Sequence, residues 1–182
     1  MTQKICIYGV GAIGGWMGAR LAAQGAQVSC VARGATLAAL REHGLRLIEA
    51  GADPEAKDKD GATALILAAG EGQTDAVATL LAKGANPNAH DKLGGTALIW
   101  AIGNNRADVV ELLLASGADP NQQDTDGVSA LIEAVNTSHG DFIGPLLSYR
   151  ADPSLKDARG RTAMDIARQK GNQEAVTLLS KP

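Results

Sequence analysis

Residues 84–91 read GANPNAHD, and the same pattern occurs three more times, as GADPEAKD at 51–58, GADPNQQD at 117–124 and RADPSLKD at 150–157. Successive copies are thus separated by a constant 33-residue step. A second marker keeps this step, since TAL occupies 63–65 and 96–98, SAL occupies 129–131 and TAM occupies 162–164. Two unrelated markers at one constant spacing indicate a repeat protein whose units stack side by side.

Each unit predicts a turn, a short helix, a loop and a second helix. Glycine at 61, 94, 127 and 160 suits a turn residue with positive φ. The Thr or Ser of the second marker stands where a helix N-cap belongs. Glycine also fills most positions after the helices, where a left-handed residue is expected, but Asn105, Ser138 and Arg150 take three of them.

These motifs resemble the ankyrin repeat family, whose T-P-L-H-x-A signature appears here as TALILA, TALIWA, SALIEA and TAMDIA. Alanine replaces the usual proline, and the histidine is absent. The resemblance implies a mainly α fold, an ankyrin-repeat solenoid over 44–182. It comprises an N-terminal half-repeat at 44–57, repeats at 58–90, 91–123 and 124–156, and a C-terminal cap at 157–182. The polar last copy suits a cap, because its outer face meets water.

The third repeat contains an irregularity, since Gly144 and Pro145 fall inside its expected second helix. An interior proline costs roughly 3 kcal/mol and glycine roughly 1 relative to alanine, and less near the first turn. The sequence therefore predicts that this helix is the weakest of the array.

The first 43 residues do not follow the repeat. Lys4 to Tyr8 is a short β-rich run, GVGAIG follows at 9–14, and apolar residues then recur at helical spacing until Gly25. QVSCVA at 27–32 is a second apolar run. This order is typical of the first βαβ unit of a dinucleotide-binding fold. The sequence thus predicts a truncated Rossmann-like βαβ(α) unit at 1–43, before the repeats.

The glycine loop has the residues that pyrophosphate binding requires. Gly9 permits the tight turn, Gly11 lets a pyrophosphate approach the backbone, and Gly14 lets the helix pack closely on the strand. After the second strand, an NAD site would carry an acid, but this chain has Arg33. Arg33 favours the 2′-phosphate of NADP, and the alternative is a solvated surface residue.

Residues 4–49 resemble the N-terminus of the ketopantoate reductase (2-dehydropantoate 2-reductase) family, which reduces a 2-keto acid with NADPH. The resemblance implies that Arg33 faces the adenosine phosphate and that five residues line the pyrophosphate: Gly9, Gly11, Ala12, Ile13 and Gly14. The family's catalytic lysine, catalytic acid and helical substrate domain have no counterpart in this chain. No catalytic residue is therefore predicted.

Charge and cysteine content narrow the classes of partner. The net charge is −3 and no run of five basic residues occurs, which disfavours nucleic acid and anionic membranes. Two cysteines and three scattered histidines show no ligand spacing, so no metal site is predicted. Two thiols and the lack of a membrane-length apolar run favour the cytoplasm.

The expected function is that of a non-catalytic protein–protein interaction module that requires no cofactor. The alternatives are an NADP-binding protein, a remnant of a ketopantoate-reductase-like oxidoreductase, or a recombination product in which residues 1–43 have no evolved role. An unidentified protein would bind the concave ankyrin surface, formed by turn tips and first helices. Trp100 is either its anchor or a packing residue of the neighbouring helix. The predicted contact residues are Lys59, Asp60, Lys92, Leu93, Trp100, Asn104, Thr125, Asp126, Val128, Glu133 and Asn136.

The two segments meet in GLRLIEAGADPEAKD at 44–58. One repeat period places Leu47 and Ile48 on Leu80 and Leu81, so this stretch is in register as a second repeat helix. In the reductase family, the same residues would begin a third strand. A helix is expected, since no further sheet follows. The open sheet face then packs on the first repeat, pairs with a second copy as a homodimer, or stays partly molten.

Overall fold

The computed structural model describes residues 54–180 and the backbone of residues 4–8 and 27–31. The stretch at 44–53 lies outside the described residues, as do all six residues expected to bind a dinucleotide: Gly9, Gly11, Ala12, Ile13, Gly14 and Arg33. The βαβ(α) unit and the domain boundaries therefore stay predictions.

From residue 54 to residue 180 the chain is mainly helical, as predicted, and its helices come in consecutive pairs. We call the first helix of each pair the inner helix and the second the outer helix. The inner helices are α1 (Ala64–Glu71), α3 (Ala97–Gly103), α5 (Ala130–Asn136) and α7 (Ala163–Gln169). The outer helices are α2 (Thr74–Ala82), α4 (Ala107–Ala115), α6 (Ile143–Ser148) and α8 (Gln173–Leu179).

The inner helices stack in sequence order, α1 on α3, α3 on α5 and α5 on α7. One position shows why they pack closely. Ala68, Ala101, Ala134 and Ala167 recur once per repeat period, and each is 0% exposed. Because alanine is small, neighbouring helices approach at this point. A continuous apolar cluster then runs through all four pairs.

The predicted N-caps of the inner helices are confirmed. The side-chain oxygens of Thr63, Thr96, Ser129 and Thr162 each accept a hydrogen bond from the backbone N–H three residues later. Asp165 completes a capping box with Thr162, since its carboxylate accepts from the N–H of the cap. Such caps contribute about 1 kcal/mol each.

An aspartate braces each turn, and it is the last residue of the eight-residue marker. Oδ1 of Asp58, Asp91, Asp124 and Asp157 accepts from the backbone N–H groups two and four residues later, at 2.8–2.9 Å. The turn glycines have φ between 72° and 81°, as predicted. These bonds explain why aspartate recurs in every copy.

Three residues other than glycine adopt the left-handed conformation after a helix. They are Asn105 with φ 57°, Ser138 with φ 62° and Arg150 with φ 63°. All three stand where the period predicts a left-handed residue. Asparagine tolerates this region, whereas a residue such as Arg150 loses roughly 1–2 kcal/mol there.

The outer helix of the third repeat differs from the expected one. A 3₁₀ turn, Gly140–Phe142, precedes α6, and α6 has 6 residues whereas α2 and α4 have 9. Gly144 and Pro145 are the second and third residues of α6, not interior ones. The first four N–H groups of a helix have no intrahelical acceptor, so this proline removes no helix hydrogen bond. The expected interior position is therefore corrected.

Two short strands are described before residue 54, β1 (Lys4–Tyr8) and β2 (Gln27–Val31). They pair in parallel, with Lys4 opposite Gln27 and Tyr8 opposite Val31. The backbone of β2 comes within 8 Å of α1, measured between Cα atoms. β2 thus lies beside the first inner helix.

None of the helices in the described part of the chain is long and apolar enough to cross a membrane.

Candidate functional site

A groove of about 960 Å³ lies along the turns and inner helices of the first two described repeats. Six of the residues predicted to contact a partner line it: Lys59, Asp60, Lys92, Leu93, Trp100 and Asn104. We call this surface the repeat 1–2 groove. The repeat period is what brings these residues together, because it places equivalent side chains of adjacent repeats next to each other.

Trp100 is both exposed and fixed in orientation. Its side chain is 43% exposed, and its indole Nε1 donates a hydrogen bond of 2.9 Å to Oδ2 of Asp91. Gly95 makes room for the ring, since a Cβ at that position would lie 2.6 Å from Nε1. Asp91 therefore braces its own turn with one oxygen and orients the indole with the other. A held, half-exposed indole has little side-chain entropy left to lose on binding.

Leu93 is the most exposed large apolar residue in the described part of the chain, at 67%. Its backbone is nevertheless anchored. The N–H of Leu93 donates to Oδ1 of Asp91 at 2.9 Å, and its carbonyl accepts from the N–H of Thr125 at 2.8 Å. The turn therefore presents this side chain from a rigid backbone.

Carboxylates outnumber ammonium groups along the groove. The acidic residues that line it are Asp58, Asp60, Glu71 and Asp91, and the basic residues are Lys59 and Lys92. The ammonium of Lys92 donates to the carbonyl of Lys59 at 2.6 Å. The ammonium of Lys59 lies 3.9 Å from a carboxylate oxygen of Asp60. The Lys92 ammonium is thus held inside the groove, whereas the Lys59 side chain is largely exposed and its contact with Asp60 is long.

Glu133 brings a further carboxylate to the helix that carries Trp100. A Cβ at Gly103, one turn after Trp100, would lie 2.9 Å from Oε1 of Glu133. Burial raises the pKa of Glu133 above its usual value, and the nearby charge of Asp124 raises it further. His139 and Lys170 act in the opposite direction, lowering this pKa. The anion at Glu133 is therefore poorly solvated.

The other predicted contact residues belong to the third repeat and do not line the repeat 1–2 groove. Thr125 pairs with Leu93 through the backbone. Asp126 and Val128 donate their N–H groups to Asp124 Oδ1, at 2.9 and 2.8 Å. The carbonyl of Asn136 accepts from the ammonium of Lys170 at 2.7 Å. Their contact with a partner stays a prediction, as it does for the groove residues.

Besides the turn residues Asp58, Ala62 and Asp91, four further groove residues were missing from the predicted contact set. They are Ile66, Leu67, Gly70 and Glu71, all on α1. Leu67 lies one repeat period before Trp100, and Glu71 lies one period before Asn104. Shifting the predicted contacts back by one period would have identified both.

The fold and this surface define the class of the protein: stacked helix pairs whose described part exposes a groove along the turns and inner helices. Two stretches, 36–124 and 114–182, match the family model described as ankyrin repeats (3 copies). The matches cover well over half of the chain, which therefore belongs to the ankyrin repeat family. This part of the resemblance read from the sequence is confirmed.

The chain is also similar to a 2-dehydropantoate 2-reductase of Mesorhizobium japonicum (strain LMG 29417 / CECT 9101 / MAFF 303099). The two are 49% identical over 63 residues, which is 34% of this chain and 19% of that protein. This chain thus spans about a fifth of the length of that relative. The second resemblance is confirmed as a partial one.

Proposed function

We propose that this protein is a non-catalytic protein–protein interaction module, and that its partner binds in the repeat 1–2 groove. The observation that supports this is the pair of exposed apolar side chains in that groove, Leu93 at 67% and Trp100 at 43%. Exposed apolar patches on soluble proteins mark interaction sites, and tryptophan is enriched among residues that dominate binding energy.

Trp100→Ala tests this proposal. Peptides that bind the full chain are first selected from a displayed random library. They are expected to bind the variant at least about tenfold more weakly than the original chain, since an anchor of this kind contributes about 2 kcal/mol. Affinity is measured by titration, and the melting temperature of each variant is recorded in parallel.

Tyr149→Ala is the matched control, because Tyr149 is 44% exposed but does not line the groove. It should leave the affinities within about twofold. Leu93→Ala gives a second test, since truncating an exposed side chain removes little core packing. Selected peptides that bind Trp100→Ala and Leu93→Ala as well as the original chain would contradict the proposal.

For residues 1–43 we propose a truncated Rossmann-like βαβ(α) unit that covers the first repeat. Support comes from the parallel pairing of β1 and β2, the position of β2 beside α1, and the partial reductase similarity. A homodimer through the open face of the strand pair is the competing arrangement. The cytoplasmic location expected from the sequence belongs to the same proposal.

An NADP-binding remnant is the second candidate function. The parallel register sets the carboxyl ends of β1 and β2 at one edge of the sheet, where such folds bind dinucleotides. Gly9 follows the end of β1 directly, and Arg33 comes two residues after the end of β2. The glycines would hold the pyrophosphate, and Arg33 would hold the 2′-phosphate. NADPH would carry a transferable hydride, but no residue of this chain is assigned a role in its transfer.

Titration of the full chain with NADPH tests this candidate. Nucleotide fluorescence is expected to change on binding, and Arg33→Ala should weaken NADPH while leaving NADH unaffected, because the extra phosphate loses its cation. An unchanged signal at millimolar nucleotide would exclude the remnant, and equal weakening of both nucleotides would exclude the role of Arg33.

A further inference from the structure

We propose that the repeat 1–2 groove binds a basic, apolar peptide segment, one that presents aliphatic side chains beside lysine or arginine. This proposal rests on the proposed function, which identifies the surface but not the chemistry of its partner. Charge and exposure of the described groove residues favour this chemistry.

The apolar requirement comes from three side chains along the groove. Leu93 projects from the turn, Trp100 lies on α3, and Leu67 is partly buried on α1. Together they extend from the turn tip onto two inner helices. Aliphatic side chains of a partner would remove this area from water, at about 25 cal/mol per Å².

The basic requirement comes from the charges around these side chains. Four carboxylates and two ammonium groups line the groove, the Lys92 ammonium donates to a carbonyl within it, and the Arg106 guanidinium donates to the carbonyl of the lining residue Gly70. Glu133, against Gly103 of the helix that carries Trp100, extends the acidic side. A surface with this excess of negative charge attracts lysine and arginine and repels acidic segments.

Two details favour a cation close to Trp100 and Glu133. The indole is held by Asp91 with part of its surface exposed, and a guanidinium stacks favourably on such a ring. The Glu133 carboxylate is half-buried, so a partner's cation would offset the poor solvation of the anion. A purely apolar segment would instead remove carboxylate surface from water and offer no new hydrogen bond to it, at a cost in free energy.

The experiment uses the full chain carrying Trp16→Phe, so that Trp100 is its single tryptophan and reports by fluorescence. The probes are three short synthetic peptides of equal length. The first alternates leucine and lysine, the second has glutamate for every lysine, and the third has serine for every leucine. We expect the first to bind at least about tenfold more tightly than either of the others, and less tightly as salt is added.

Glu133→Gln is expected to weaken the leucine–lysine peptide several-fold and to reduce its salt dependence. Glu111→Gln is the matched control, because Glu111 is an exposed acid on the outer helix α4 and does not line the groove. This variant removes the same charge outside the groove and should leave the affinity for the leucine–lysine peptide unchanged.

Three outcomes would overturn the inference: equal or tighter binding of the glutamate peptide, no binding of the leucine–lysine peptide, and equal effects of the two glutamine variants. The peptides selected from the displayed library distinguish a wrong partner chemistry from a wrong binding surface. Selected peptides that need Trp100 but are acidic or uncharged would leave the groove as a binding site and refute only the basic partner.

Discussion

Gly94→Ala is expected to lower the free energy of unfolding by roughly 2–5 kcal/mol. Gly94 has φ 78°, where alanine costs roughly 1–2 kcal/mol. An added Cβ would also lie 2.8 Å from Cα of Asp124 and 3.0 Å from the backbone nitrogen of Thr125. These are backbone atoms of the next repeat, and Thr125 donates its N–H to Leu93 there. Relief of the clash therefore requires the two repeats to separate locally, and such overpacking costs roughly a further 1–3 kcal/mol.

Gly160→Ala is the matched control. Gly160 occupies the same turn position with φ 75°, but nothing lies within 4 Å of its Cβ position. It should lose only the conformational term, roughly 1–2 kcal/mol. Urea unfolding monitored by circular dichroism measures both variants. Equal losses would show that the turn conformation, and not the contact between repeats, determines the cost at Gly94.

The repeat period predicts what the repeats have in common. Residues that recur once per period, such as the capping Thr63 and the turn glycines, have the same backbone task in each copy. Their chemistry is local, because a cap or a left-handed turn is satisfied within a few residues. The same logic identifies Arg150 as a left-handed residue, although arginine by itself would not suggest one.

The candidate site depends instead on what differs between repeats. Position 67 of the first repeat holds leucine, the equivalent position holds Trp100 in the second, and Glu133 in the third. The hydrogen bond from Trp100 to Asp91 needs both this tryptophan and the space over Gly95. The period predicts which residues share a face, but it does not predict which side chains form hydrogen bonds across that face.

The family's signature histidine is replaced in every copy, and the replacing residues show what takes over its role. Ile66, Ile99 and Ile132 stand at its position, and all three are buried. The first three copies thus place an aliphatic side chain in the core where the family pattern has a polar one, whereas the fourth has Asp165, the capping-box acid. The turns are braced by the aspartates at the end of the eight-residue marker, such as Asp91, and by backbone hydrogen bonds between repeats.

Deletion of residues 1–35 is expected to expose the first repeat to solvent and to accelerate amide exchange in α1 by about a hundredfold or more. Ala64 and Ala68 are 1% and 0% exposed. Since β2 lies beside α1, we expect the N-terminal segment to contribute to the burial of these two alanines.

In a stacked array each repeat contacts mainly its neighbours, so the loss should be largest in α1 and α2 and should fade along the chain. Exchange in α7 of the same sample is the internal control and should stay unchanged. Hydrogen exchange with mass spectrometry resolves the helices separately. Unchanged exchange in α1 would contradict the proposed cover by residues 1–35. The protection of α1 would then have to come from residues 36–53, which the deletion keeps. Light scattering on the full chain tests the competing homodimer, because a monomer with a protected α1 requires the cover to come from its own chain.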